Sequence, residues 1–213
     1  MGKKLLYIIR HGETDQNKMN IVQGSGVDSC LNANGQAQAQ AFYEHYKDTP
    51  FQKVYVSALQ RTHQSVKPFL DAGLPHEQLP GLNEISWGIY EGIPHSKEFF
   101  NQYQQRVEDW REGRLHLPID GGESPQDLNE RQKPAVEHIL SKQEEETILV
   151  CTHGRALKAL LCLLLDIPLT QMDTFEHQNL GLYLFEFADG KFNLLKRNDH
   201  EHLNRVGYVN DMT

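Results

Sequence analysis

The sequence predicts an α/β fold on a mostly parallel central sheet, and three observations carry that prediction. Short, continuous apolar runs recur at Leu5–Ile9, Val54–Val56 and Thr147–Cys151; such runs mark strands covered on both faces, as central parallel strands are. Longer stretches with apolar residues at helical spacing lie between them, so strands and helices alternate. Two of the runs end in a polar turn with the same His-Gly step, Arg10-His11-Gly12 and Thr152-His153-Gly154.

In chain order, Leu5–Ile9 is the first strand, stopped by the turn at Arg10. Asn34-Gly35 opens a helix over about 36–47, with Ala37, Ala41, Phe42 and Tyr46 at helical spacing. Val54–Val56 is a second strand that leads through Ser57 into a helix over about 59–70, and Pro75, Pro80 and Gly81 punctuate loops. Residues 82–123 differ in character: Trp87, Tyr90, Phe99, Phe100, Tyr103 and Trp110 stand among polar side chains up to Gly121-Gly122. This reads as an inserted, partly helical lid whose aromatics belong to the core. Ser124-Pro125, a cap with proline at the first helical position, starts a helix to about Lys142. Pro134 is expected to interrupt or kink it. Thr147–Cys151 is the third strand, followed by a helix over Arg155–Leu165. Leu182–Phe187 and Phe192–Lys196 flank Asp189-Gly190, the pattern of a β-hairpin. No repeat or low-complexity linker divides the chain, so one domain over 1–213 is expected.

A chain of 213 residues can bury a core without disulfides or a structural metal. Its 38% hydrophobic and 23% charged residues describe a globular protein. With 21 Lys+Arg against 29 Asp+Glu the net charge is −8, which argues against nucleic acid or an anionic membrane as partner. A local anion site needs only a few arginines and stays open. No stretch reaches the roughly 18 apolar residues of a membrane span, and the start of the chain lacks a signal sequence's apolar stretch and cleavage site. Cys30, Cys151 and Cys162 form no C-x-x-C, and the last two lie in apolar runs, which fits a reducing compartment. A soluble, cytoplasmic protein is expected.

In open α/β sheets, ligands bind beyond the carboxyl ends of the strands. Two such ends here carry Arg10, His11 and His153, and the strand Val54–Val56 leads into a helix with Arg61 on its first turn. Guanidinium forks match phosphate oxygens bidentately, and a neutral imidazole among them can act as a nucleophile. Together they would form a cage for a dianion.

At these residues the chain resembles the histidine phosphatase superfamily, the group that includes the cofactor-dependent phosphoglycerate mutases. Arg10-His11-Gly12-Glu13-Thr14 with Asn17 is similar to the family's opening motif, followed by Gln23-Gly24, Asp28, Leu31 and Gly35-Gln36-Ala37. Ser57-Ala58-Leu59-Gln60-Arg61-Thr62 resembles the motif with the second arginine, and the segment Leu82 to Gly92 the acid motif around Glu84. Gly121-Gly122-Glu123-Ser124, Val150-Cys151-Thr152-His153-Gly154 and the tail Asn198-Asp199, His202-Leu203 complete the series in the family's order.

The resemblance implies a three-layer α/β/α fold, phosphoglycerate mutase-like, and a phosphohistidine mechanism without metal or cofactor. His11 would attack phosphorus, kept neutral by like-charge repulsion from Arg10 and Arg61. Arg10, Arg61 and His153 would hold the non-bridging oxygens, with Gly154 in the same turn and Asn17 donating a further hydrogen bond. Glu84 would protonate the leaving alkoxide and then activate water. Gln23 and Gly24 would line the substrate side or pack their loop. Ser57 would support the cage, Glu91 would serve the lid's structure, and Glu123 would sit at the rim or cap the next helix. His200-Glu201-His202 alternates sides in an extended tail and is expected to be solvated or at the rim rather than a metal site.

Family mutases place basic residues directly after the catalytic Glu. Here Ile85, Ser86 and Trp87 follow Glu84, with no basic residue until Lys97, and Lys97, Arg106, Arg111 and Arg114 are scattered. Trp87-Gly88-Ile89-Tyr90-Glu91-Gly92 resembles the phosphatase branch. The expected activity is hydrolysis of a small organic phosphate ester, releasing phosphate; phosphoglycerate mutase is the alternative. A non-catalytic module that binds phospho-ligands would lack the nucleophile, an arginine or the acid, and all are present. An exposed aromatic edge in the lid could support a homodimer.

Overall fold

The structure, a computed structural model, describes residues 3–94 and 97–204, so residues 95–96 of the expected lid and the tail beyond 204 lie outside the described residues. In order, the elements are β1 (Lys4–Arg10), α1 (Asp15–Lys18), α2 (Ala33–Tyr46), β2 (Lys53–Val56), α3 (Gln60–Asp71), β3 (His76–Gln78), α4 (Lys97–Arg111), α5 (Pro125–Ser141), β4 (Thr147–Thr152), α6 (Gly154–Leu165), β5 (Leu182–Ala188), β6 (Lys191–Asp199) and α7 (Glu201–Asn204). One six-stranded sheet has the order β3-β2-β4-β1-β5-β6. The pairs β3·β2, β2·β4 and β4·β1 are parallel, while β5 and β6 add an antiparallel hairpin at one side. Asp189 and Gly190 make the turn with φ of 52° and 76°, the left-handed pair a two-residue hairpin loop requires.

Period-two alternation sends the central strands' side chains to two cores. Ile9, Val54, Val56, Leu149, Cys151 and Leu182 pack against Phe42, Val66 and Phe69 of α2 and α3. Leu6, Ile8, Tyr55, Ile148, Val150 and Phe185 face the other way, onto α5, α6 and the lid's Trp87 and Trp110. The expected three-layer, mostly parallel α/β arrangement is what the structure shows.

Local departures have local causes. Helix α2 starts at Ala33, earlier than expected, because Asn32 Oδ1 caps Gly35 N at 2.9 Å. Pro134 does not interrupt α5, which runs unbroken from Pro125 to Ser141 and buries Leu128, Ala135 and Ile139; that packing outweighs the lost backbone bond. β3 is three polar residues on the sheet edge, too short to leave a period. The tail does not stay extended: α7 turns His202 inward, 1% exposed, with its ring 5.0 Å from that of Phe42. His202 is therefore a core residue, not a solvated one. Among the described residues no helix is long and apolar enough to cross a membrane.

Candidate active site

Parallel pairing of β1 with β4 sets Arg10 opposite Thr152. The next residue on each strand is a histidine, so His11 and His153 come together with ring centroids 5.2 Å apart. His11 is buried and its Nδ1 lies 2.7 Å from the Gly12 carbonyl. A carbonyl only accepts, so Nδ1 carries the proton and Nε2 the lone pair. Burial, followed by the charges of Arg61 and Arg10, holds the imidazole's pKa well below the usual histidine value. Like-charge repulsion was the expected cause; desolvation is the larger one, because the ring is enclosed at the strand end.

Arg61 and His153 are each 0% exposed and sit behind His11. Arg61 Nε donates to His153 Nδ1 at 3.1 Å, NH1 to the Val27 carbonyl at 2.7 Å and NH2 to the Gly24 carbonyl at 3.2 Å. These use three of the five N–H groups of a guanidinium, leaving two uncommitted among the described residues, although Arg61 does not itself line the cleft. Because arginine only donates, His153 Nδ1 accepts, and its Nε2–H points to Ser57 Oγ at 2.8 Å. Ser57 Oγ pairs with Thr62 Oγ1 at 3.0 Å, and Thr62 donates onward to the Leu59 carbonyl at 2.8 Å. Gly24 thus packs its loop and braces Arg61; it does not line the cleft.

Glu84 is buried and faces the same space. Its Oε1 accepts from Ile85 N at 2.9 Å and Ala156 N at 2.8 Å, and its Oε2 from Arg155 N at 3.1 Å. The first turn of α6 therefore orients the carboxyl. Its charge supports the protonated forms of Arg10 and Arg61; burial still pulls Arg10 down to about 10.

Sequence reasoning missed the residues that hold these groups. Arg131 pairs bidentately with Glu123, at 2.8 and 3.0 Å, and donates to the carbonyls of Gly81 and Glu84. Glu123 also accepts from Ser86 N. It is neither rim nor cap: Ser124 and Asp127 form the capping box, and Glu123 braces the Glu84 segment. Glu91 is structural as expected, accepting from Trp87 N, Ser86 Oγ and Gly26 N. Asn179 donates to the His11 carbonyl and to Asn17 Oδ1. Asn17 Oδ1 also accepts from Thr14 N, so its NH2 end is the one left for a ligand. Gln23 Oε1 accepts from Thr14 and Ser29. His177 Nδ1 accepts from Arg10 NH1 at 3.2 Å. Gly154 lacks a side chain where a Cβ would stand 3.0 Å from the His177 ring.

Arg10, His11, Asn17, Gln23, Glu84 and Gly154 line a cleft of about 980 Å³. Its outer part is walled by Trp87, Phe99, Phe100 and Tyr103 of the lid, so these aromatics serve cleft as well as core, and by Arg155 and Lys158 of α6. Among the described residues no group of three or more His, Cys, Asp or Glu is arranged to hold a metal ion.

Residues 6–200 match the sequence model of the histidine phosphatase superfamily (branch 1). The chain is 30% identical over 168 residues to "Probable phosphoglycerate mutase GpmB" of Serratia proteamaculans, covering 76% of this chain and 75% of that one. It is 32% identical over 161 residues to fructose-2,6-bisphosphatase TIGAR B of Danio rerio, covering 72% of this chain but 58% of that one. The crystal structure of the alpha-ribazole phosphatase from Shigella flexneri superposes with a TM-score of 0.81 at 26% identity, covering 92% and 96% of the two chains.

Proposed function

The chain belongs to the histidine phosphatase superfamily, and from that premise we propose that it hydrolyses a small organic phosphate monoester, without a metal ion, through a phosphohistidine intermediate. The observation that carries the reading is the His11 tautomer: its Nδ1–H is spent on the Gly12 carbonyl, so the Nε2 lone pair is the one available to phosphorus. Attack forms the Nε2–P bond as the P–O ester bond breaks. The leaving alkoxide takes a proton from Glu84. Glu84 then takes a proton from water, which attacks phosphorus and breaks the N–P bond, releasing phosphate. Arg10 and the two uncommitted N–H groups of Arg61 balance the equatorial oxygens of a loose transition state, with Asn17 as a further donor. His153 acts from behind, holding Arg61.

Hydrolysis is favoured over mutase chemistry because a cleft of about 980 Å³ leaves room for water beside a three-carbon substrate, and a mutase must keep water from its phosphohistidine. Rapid quench with a labelled aryl phosphate is expected to trap an acid-labile, base-stable phosphate on His11. Label on another residue overturns the mechanism. Interconversion of 2- and 3-phosphoglycerate at tens per second in a coupled assay overturns the choice of branch.

A further inference from the structure

Among the described residues, every hydrogen-bond partner of the Arg10 and Arg61 guanidiniums is neutral. Arg61 meets two carbonyls and the His153 imidazole. Arg10 meets the imidazole of His177 through NH1 at 3.2 Å, and its Nε is buried with no partner among the described residues. A carboxylate in either place would cancel charge that a phosphoryl group needs. An imidazole fixes the plane of the guanidinium and leaves its charge standing. For Arg10, which lines the cleft, the His177 contact is the one hydrogen bond of the guanidinium among the described residues.

His177 sits in the loop between α6 and β5, and that loop grips the strand end that carries Arg10 and His11. Leu180 N donates to the Arg10 carbonyl at 3.0 Å, and Asn179 Nδ2 donates to the His11 carbonyl at 2.9 Å. Leu180 is fully buried with a φ of 56°, a left-handed backbone that leucine adopts only under constraint. The ring of His177 is wedged against the first turn of α6. A Cβ on Gly154 would stand 3.0 Å from His177 Cε1, 3.2 Å from its Nε2 and 3.6 Å from Arg10 Nε. Imidazole and guanidinium therefore share the space that this glycine leaves open. Because arginine only donates, Nδ1 accepts and Nε2 carries the proton. Burial, then the charges of Arg10, Lys158 and Arg155, holds the ring down to about 2, so Nδ1 keeps its lone pair near neutral pH.

We infer that His177 is a positioning residue for phosphoryl transfer, a neutral acceptor that aims Arg10 at the transferred group without cancelling its charge. It acts through Arg10 and not on the reacting atoms. The inference rests on the phosphatase reading above and adds to it the group that places the first arginine.

Three variants test it. His177→Phe keeps a ring and removes the acceptor. His177→Asn offers a neutral oxygen in the place of Nδ1. His177→Asp has the same size and reach as the asparagine but brings a negative charge. Each is assayed for p-nitrophenyl phosphate hydrolysis and for competitive inhibition by inorganic phosphate, with folding followed by circular dichroism. His177→Phe is expected to lower kcat/KM by about 10–100-fold, the scale of a misplaced catalytic group. His177→Asn should recover most of that loss. His177→Asp should stay slow and bind phosphate about tenfold more weakly than His177→Asn, because its carboxylate pairs with Arg10 and repels the anion. A merely structural role would leave the last two alike, since they differ in charge alone. If the phenylalanine variant does not fold, the comparison of asparagine with aspartate decides. Wild-type kcat/KM in a folded His177→Phe, an asparagine variant no better than it, or an aspartate variant equal to or better than the asparagine one overturns the inference. In each of those cases a wild type that turns over p-nitrophenyl phosphate keeps the phosphatase reading standing. A wild type without turnover removes both.

Discussion

His11 and His153 follow paired parallel strands, precede glycines and lie 5.2 Å apart, yet they are wired differently. His11 spends its Nδ1 proton on a backbone carbonyl and keeps Nε2 for chemistry. His153 has both nitrogens engaged, Nδ1 by Arg61 and Nε2 by Ser57. In the proposed mechanism the same two residues in the same local frame thus serve as a nucleophile in one case and a bracket in the other. What separates them is the neighbour that each Nδ1 meets.

The largest expected effect contrasts the two directly. His11→Ala should abolish turnover, a loss of 10⁴-fold or more by order of magnitude for a removed nucleophile. His153→Ala should lose about 10²–10³-fold, because it releases the Arg61 guanidinium that it holds in place for the transition state, and still form phosphohistidine. Equal losses in single-turnover rates would erase the distinction.

Glu84→Gln probes the group that faces both. It should slow alkyl phosphates about 10²–10⁴-fold but nearly spare the first turnover of p-nitrophenyl phosphate, whose leaving group needs no proton. A nitrophenol burst followed by a slow phase is the expected trace. If both substrates lose the same factor in the burst, Glu84 is not the acid.

A change of pH tests whether both imidazoles are neutral. Burial, with Arg61 beside each ring, holds both pKa values well below 6.5. The folded protein therefore stays unprotonated at these sites where the unfolded chain takes up protons. Stability should fall as pH drops below about 6.5, by up to about 1.4 kcal/mol per pH unit for each such histidine. His177 at about 2 and His202 at about 4 act in the same direction. Denaturant unfolding between pH 7.5 and 5 measures the slope, and a flat profile would mean that the rings take up protons in the folded protein as they do in the unfolded chain. Activity on an aryl phosphate should show no loss centred at pH 6.5.

The smallest effect belongs to Ser57→Ala, which leaves the His153 Nε2–H without an acceptor. The expected cost is about 1–3 kcal/mol of stability with phosphohistidine formation retained. A variant as stable as the wild type would show that Ser57 does not hold the ring.

Much of this frame was legible in the chain. Continuous apolar runs and their alternation with helical periods are short-range properties, so the α/β class, the strand ends and the hairpin follow from neighbours in sequence. The pairing of the two His-Gly steps was legible too, because parallel strands deliver their carboxyl ends to one edge. The packing role of Gly24, the bracing by Glu123 and the inward turn of His202 were not. Neither were Arg131, Asn179, His177 and the pair Arg155 and Lys158, which carry no motif of their own.

The sequence by itself determined which elements form and that the strand-end groups Arg10 and His11 reach the cleft, since both depend on periodicity and turn chemistry within a few residues. Tertiary structure decided what each group does there. Tautomer, charge balance and orientation depend on contacts between distant residues: Arg61 and His153 are 92 positions apart, and Arg131 and Glu84 are 47. A hydrogen bond assigns a proton only once its partner is within about 3 Å, and only the packed chain brings those partners together.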